Sequence, residues 1–469
     1  MAKGNMRKGF ARYLLVLLLM IVAAFLIILV IMLFSPFHNV LGFQYILYEI
    51  DQPVYRTTSE ELIDFSRISE ININCNNAGI SIERAKIEND AINIENRTKG
   101  FAHSGDNTDF NYEIYYSDDN NSILNIDVTE PDGFLFFDNR IEITICVPAL
   151  SSYSLENTVI NITNTSGDIS IGNRDRLSIN EDESHLLSDI NVNTLNISTE
   201  SGDISLNQYL ERTLDKLYIN SSSGDITFFT QQLNITDTFE MHKNSGFVSI
   251  MNLSTTSQNG LIFDLNNSQL RADVISGNMM LNMNSGYLDL RTLNGNLNSN
   301  DAVVQMNDAT LTIENIEGDV SLPFANNSQI NIGQMAQGNQ IYVRGENCDL
   351  NIEGLRGKAF IETTEGDVNI HTYQDDLDIK TTSGNINVVY ESYSIDNQLD
   401  LYSQSGDINL SVLSQLSFAL YANNTEGEAN TNLTVQFFSG PYSNPFIVGN
   451  GNKIINATTN GNITVDLIQ

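Results

Sequence analysis

The sequence predicts an all-β chain: a parallel β-solenoid (β-helix) of about 18 to 22 residues per coil, preceded by one transmembrane α-helix. Three observations carry this reading. A Ser-Gly-Asp phrase recurs between pairs of alternating apolar residues, the phrase returns at steps of 18 or 22 residues, and an uncharged run of 22 residues stands near the start.

The repeat is clearest when aligned on its glycine, where apolar residues fall at -7, -5, +2 and +4. Gly202 is flanked by Leu195, Ile197, Ile204 and Leu206, Gly224 by Leu217, Ile219, Ile226 and Phe228, and Gly246 by Phe239, Met241, Val248 and Ile250. The same register surrounds Gly167, Gly286, Gly318, Gly366, Gly384 and Gly406, and one last motif returns at Gly461. A spacing of two within each pair is strand periodicity, with one face turned in and the other out. The phrase itself is a corner. Glycine reaches positive φ without a Cβ clash, Ser and Asp hydrogen-bond nearby backbone groups, and the following Ile or Val resumes a strand.

Glycines 277, 286 and 295 repeat the register at nine-residue steps, so one side of a coil is nine residues long. A coil of 18 is then nine plus nine, and one of 22 is nine plus a looser side of thirteen. Such regular returns with glycine corners suit a parallel solenoid. An antiparallel hairpin array, the structural alternative, favours two-residue Asn-Gly or Asp-Gly turns, whereas here glycine precedes aspartate. At about 4.8 Å between paired strands, the repeats from residue 155 onward would form a rod on the order of 70 Å long.

Residues 13–34, from Tyr13 to Phe34, contain no charge and are long enough as a helix to cross a hydrocarbon core of roughly 30 Å. Lys3, Arg7, Lys8 and Arg12 precede the run, and Glu49 and Asp51 follow it. The positive-inside rule therefore predicts a cytoplasmic N-terminus (1–12), a transmembrane helix (13–34), a juxtamembrane connector (35–68), a cap with first irregular rungs (69–150) and solenoid repeats with a terminal cap (151–469). The expected location is the cell membrane, single-pass, with the domain after the helix extracellular and the membrane itself a partner through that helix. Within the connector, "TSEELIDFSRI" leans toward a short helix.

With 23 basic against 58 acidic residues and a formal net charge of -35, no general positive field is available for nucleic acid, and none is expected as a partner. Cys75, Cys146 and Cys348 are widely spaced and odd in number. They form neither a disulfide framework nor a zinc pattern, and are expected to be apolar-like fillers.

An apolar anchor segment, a strand closed by Val147-Pro148, and T-x-S-G-D-I-x-I phrases running to the end together resemble the bacterial "putative adhesin" family of extracytoplasmic β-solenoids, over about residues 69–469. The resemblance implies a membrane-anchored surface protein, acting as an adhesin or envelope scaffold through a repetitive binding face, with an unknown protein or polysaccharide ligand. No enzyme is expected, for the reasons that follow.

The alternative from a different class is a polysaccharide lyase or hydrolase on the same fold. Such an enzyme needs carboxylates at a defined separation with one pKa raised, and acids scattered this widely do not mark a pair. The five histidines form no metal or catalytic cluster, and no G-x-S-x-G elbow occurs. No cofactor is expected beyond Ca²⁺, for which Asp168, Asp203, Asp225, Asp319, Asp367 and Asp407 would line up along one edge of the solenoid. Calcium-binding β-rolls supply several oxygens per turn from G-G-x-G-x-D repeats, whereas this phrase offers one glycine and one acid, so turn formation is the leading role of these aspartates. Phe228, Phe229, Phe247, Tyr287, Tyr390, Tyr393 and Tyr402 are candidates for an aromatic ligand surface, with about half expected to stack inside.

Overall fold

A computed structural model of the chain describes residues 18–20, 22–23, 38–40, 43–56, 63–65, 67–85, 92–103, 111–129, 134–148, 157–172, 192–207, 211–298, 306–372, 376–391, 398–424, 429–431, 445–448, 451 and 453–468. The described residues form an all-β, largely parallel repeat architecture in a solenoid-like arrangement. Each coil contributes one strand to each of two parallel stacks.

The first stack aligns Leu195, Leu217, Phe239, Leu261, Met279, Leu297, Val320, Ile341, Ala359, Leu377 and Leu399 in one column. The second aligns Ile169, Ile204, Ile226, Val248, Leu270, Leu288, Leu311, Ile330, Leu350, Val368, Ile386 and Ile408. Every member of both columns is buried. The alternation fixes the register, since a one-residue slip would turn each Ile and Leu outward. Cohesion therefore comes from neighbouring rungs and not from a central globule.

Coil length follows the two kinds of side. Leu261, Leu270, Met279, Leu288 and Leu297 alternate between the two stacks at nine-residue steps. The 22-residue coil from Leu217 to Phe239 lengthens the return side, and along that side, in coils of either length, Leu233, Leu253, Ile275, Leu293, Ile316 and Met335 build a third buried column. Among the described residues antiparallel pairing is confined to the two ends, for example Ile92–His103 with Phe134–Pro148 and Phe418–Asn424 with Phe446–Val448.

The expected transmembrane helix is corrected. Of residues 13–34 only 18–20 and 22–23 are described; they are helical, and the rest of the run lies outside the described residues. Among the described residues no helix is long and apolar enough to cross a membrane. A crossing helix needs about 20 continuous residues so that every backbone group is satisfied inside the hydrocarbon, and hydropathy alone does not supply that continuity. The single-pass topology, the membrane as a partner through this helix, the extracellular placement and the anchored adhesin or scaffold built on them lose their support with it. The short helix expected in "TSEELIDFSRI" is also not found where it can be seen. Residues 63–65 and 67–68 form turns, with Arg67 N–H bonded to Asp64 C=O at 3.0 Å and Ile68 N–H to Phe65 C=O at 3.3 Å, and Phe65 and Ile68 are buried.

Candidate functional site

The repeated phrase builds two separate corners. Where the chain passes from the first stack to the second, Gly167, Gly202, Gly224 and Gly246 sit one above the next, and Gly366, Gly384, Gly406 and Gly461 continue the column. Between them the same column holds Ser268, Gly286, Ala309, Ser328 and Cys348, all small. On the return corner, Gly277, Gly295 and Gly318 stack instead, and Gly357 lies on Asn339. Backbone contact between rungs is so close here that only small side chains fit. This explains Cys348, which occupies a glycine place; burial pushes its thiol up to about 12, and that of Cys75 likewise. None of the three cysteines is in a disulfide, Cys75 and Cys348 being buried and Cys146 half-buried.

The aspartate after each glycine has a defined task. Asp168 Oδ1 accepts the N–H of Asp203 at 2.9 Å, Asp203 Oδ1 that of Asp225 at 2.7 Å, and Asp225 Oδ1 that of Phe247 at 2.9 Å. Further along, Asp367 Oδ1 accepts from Asn385, Asn385 Oδ1 from Asp407, and Asp407 Oδ1 from Asn462. Each side chain thus satisfies a backbone N–H of the next rung, and an amide oxygen serves as well as a carboxylate. Asp319 does not join this line. It belongs to the return corner, taking the N–H of Gln340 at 2.7 Å while Asn296 accepts its own at 2.9 Å. Of the six calcium candidates, three are consecutive, Asp367 and Asp407 are separated by an asparagine, and one lies on the opposite corner. Among the described residues no group of three or more His, Cys, Asp or Glu is placed to hold a metal ion.

This geometry makes a direct prediction. Asp367→Asn keeps the acceptor and leaves the unfolding free energy within about 0.5 kcal/mol, whereas Asp367→Ala strands the Asn385 N–H and costs about 0.5–1.5 kcal/mol. Urea unfolding of both variants with and without millimolar calcium checks it; a loss in the Asn variant seen only with calcium would turn the aspartate into a cation ligand.

Two outward features were not read from the sequence. On the second stack, Asn351 Nδ2 donates to Asn331 Oδ1, and Asn369, Asn387 and Asn409 each donate to the preceding asparagine at 2.7–2.8 Å. The signal was present as an asparagine three positions after the corner residue, in "GDVNI", "GNINV" and "GDINL". A shorter ladder joins Asn196 to Asn161 and Asn161 to Asn72 on the first stack.

The second feature is a ring and ion strip on the first stack. Tyr342 and Phe360 stack at 5.3 Å with an interplanar angle of 8°, and Lys380 Nζ lies 5.3 Å from the Phe360 centroid. Beside it a groove of about 540 Å³ is lined by Phe324, Arg344, Glu362, Lys380 and Tyr402, with Phe324 and Tyr402 exposed. The acids along this face meet bases: Arg344 Nε is 3.4 Å from Glu362 Oε2 and Lys380 Nζ is 3.0 Å from Asp378 Oδ2. Of the aromatic candidates, Phe228 and Tyr390 are buried, Phe247 is half-buried, and Phe229, Tyr287 and Tyr402 are exposed on different coils. Tyr393 lies outside the described residues.

No curated protein matches the chain. A crystal structure of a "putative cell adhesion protein" from Clostridium sporogenes aligns with 90% of this chain and 100% of its own at 7% identity, with a TM-score of 0.14, too low to establish a common fold. The Toastrack DUF4097 family matches residues 68–333 and 266–466, two overlapping stretches that take in the stacked corners, both outward ladders and the groove. The chain belongs to the Toastrack DUF4097 family.

Proposed function

We propose that this chain is a non-catalytic binding domain whose repeated rungs present the groove beside Tyr402 to an extended protein or polysaccharide ligand. The observation that carries the reading is the pairing of charges in that groove. Its lining sets two bases, Arg344 and Lys380, against two acids, Glu346 and Glu362, with Glu362 held by Arg344, whereas hydrolysis of a glycosidic bond needs two carboxylates facing one another across the reacting atom. Exposed rings on either side of balanced charge offer apolar contact without a net field, a combination suited to a neutral chain lying across the rungs. Adhesion is one form such binding takes, and the sequence resemblance to the adhesin family is what suggests it.

The test is to probe the full chain against immobilised polysaccharides and denatured proteins, alongside the double variant Phe324→Ala/Tyr402→Ala. Loss of about 1–3 kcal/mol of binding, roughly 5- to 150-fold, with an unchanged melting temperature supports the groove. Release of new reducing ends or unsaturated sugars from any polymer, abolished by Glu362→Gln, would show an enzyme instead.

A further inference from the structure

The rungs at one end do not follow the order of the chain. Strands Gln398–Ser403 and Ile408–Leu413 form one rung, and strands Phe418–Asn424 and Ala429–Thr431 form the next in sequence. Yet the rung made by Lys453–Thr459 and Ile463–Ile468 lies between them. Ile455 pairs with Leu399 on one side and Leu420 on the other, and Ile463 pairs with Ile408 and Ala429, all parallel. A segment that comes later in the chain thus fills a slot built by two earlier ones. The other end is the mirror case, with an earlier rung between two later ones: the rung of Glu70–Asn77 and Gly79–Ala85 pairs on one side with Ile123–Thr129 and Phe134–Pro148 and on the other with Val159–Ser166 and Ile169–Ile171.

We propose that the slot between rungs 398–413 and 418–431 is an interaction surface for the 453–468 rung of a second copy, so that two copies associate by exchanging this rung. Until it is filled, the slot presents strand edges whose N–H and C=O groups require a parallel partner with apolar residues in register. The same segment from another copy meets that requirement contact for contact, including the buried Lys453, whose Nζ lies 4.0 Å from the Tyr390 ring centroid and donates to its hydroxyl. Most central rungs are tied to their spatial neighbours by the chain itself and cannot leave alone. The 453–468 rung is joined to the outer rung through residues 432–452, within which Phe446–Val448 pairs antiparallel with Phe418–Leu420 and would be exchanged together with the rung, leaving residues 432–445 as the connector, a length of chain that at full extension spans roughly 48 Å. Closed and exchanged forms share every rung contact and differ only in the path of that connector, so protein concentration selects between them. This inference is independent of the ligand groove.

Asp400 and Asn456 are register partners, with Asn456 Nδ2 2.5 Å from Asp400 Oδ1. The full chain carrying Asp400→Cys, Asn456→Cys and Cys146→Ser, refolded from urea at graded concentrations and then oxidised, reports the exchange on a non-reducing gel. The disulfide is internal in a closed monomer and links two chains in an exchanged pair. The expected result is a linked dimer rising at least about fivefold between about 1 µM and about 100 µM chain, absent from either single-cysteine variant. Internally linked monomer in the same proportion at every concentration overturns the proposal. Because the cysteines could disturb folding, the unaltered chain is also refolded with a labelled peptide of residues 453–468. Uptake, competed by unlabelled peptide but not by one bearing Ile455→Asp and Ile463→Asp, supports the slot; no uptake at any peptide concentration sinks it.

Discussion

Gly224→Ala is expected to lower the unfolding free energy by about 2–5 kcal/mol, a large share of the roughly 5–15 kcal/mol of an ordinary domain. Gly224 has φ +94°, and a Cβ placed on it would lie 2.2 Å from the carbonyl oxygen of Gly202 and 2.6 Å from its carbonyl carbon. The left-handed backbone alone costs an L-residue about 1–2 kcal/mol. The clash adds about 1–3 kcal/mol, because its partner is the backbone of the neighbouring rung and cannot swing aside as a side chain would. Gly338 separates the two causes: its φ is +83°, but no atom lies within 4 Å of the added Cβ. Gly338→Ala should therefore lose only the conformational part, about 1–2 kcal/mol. Urea unfolding of the two variants measures both, and equal losses would remove the stacked corner as the cause.

That contrast also marks how far the sequence could be read. The corner, the nine-residue side and the inward pairs were legible because a strand records its burial every second residue, and Leu261, Leu270, Met279 and Leu288 carry that record without interruption. Which corner a given phrase turns was not legible. Gly318 has the same apolar neighbours as Gly224, yet it leads out of the second stack and not the first, which is why Asp319 was placed on the wrong edge. Small substitutes such as Ser268 and Ala309 were invisible to an alignment on glycine, although the physical requirement is only the absence of bulk. The insertion of rung 453–468 was beyond reach for a different reason: alternation states which residues face inward, and says nothing of which rung lies above. For the apolar run at 13–34, of which only residues 18–20 and 22–23 are described, hydropathy reports affinity for lipid, and the described residues hold no helix long and apolar enough to cross a membrane.

Lys243 shows the same corner carrying a group that does not suit it. In the register of the first stack, Thr199, Ser221 and Lys243 occupy one buried column, and Thr363, Thr381, Ser403 and Thr459 occupy it further along. The hydroxyls of Thr199 and Ser221 tie the turn by donating to the carbonyls of Ser201 and Ser223 at 2.8 and 3.0 Å. Lys243 instead sends an ammonium inward to donate to Ser221 Oγ at 3.1 Å. Burial lowers its pKa from 10.5 to about 8, against the opposing pull of the Asp225 and Asp203 carboxylates. The folded state therefore binds fewer protons than the unfolded chain between about pH 8 and pH 10.5, so this group makes stability rise with pH across that window and holds it down below. Lys243→Met keeps the aliphatic stem and removes the charge. At pH 7 the variant should be more stable than the parent by about 1–3 kcal/mol, and the advantage should fade as the pH approaches 10.5. Unfolding both proteins in urea at pH 7 and pH 10 cancels all titrations they share. An advantage that stays constant with pH would mean that the ammonium enters the folded state without losing its proton affinity, and that water reaches it through the corner.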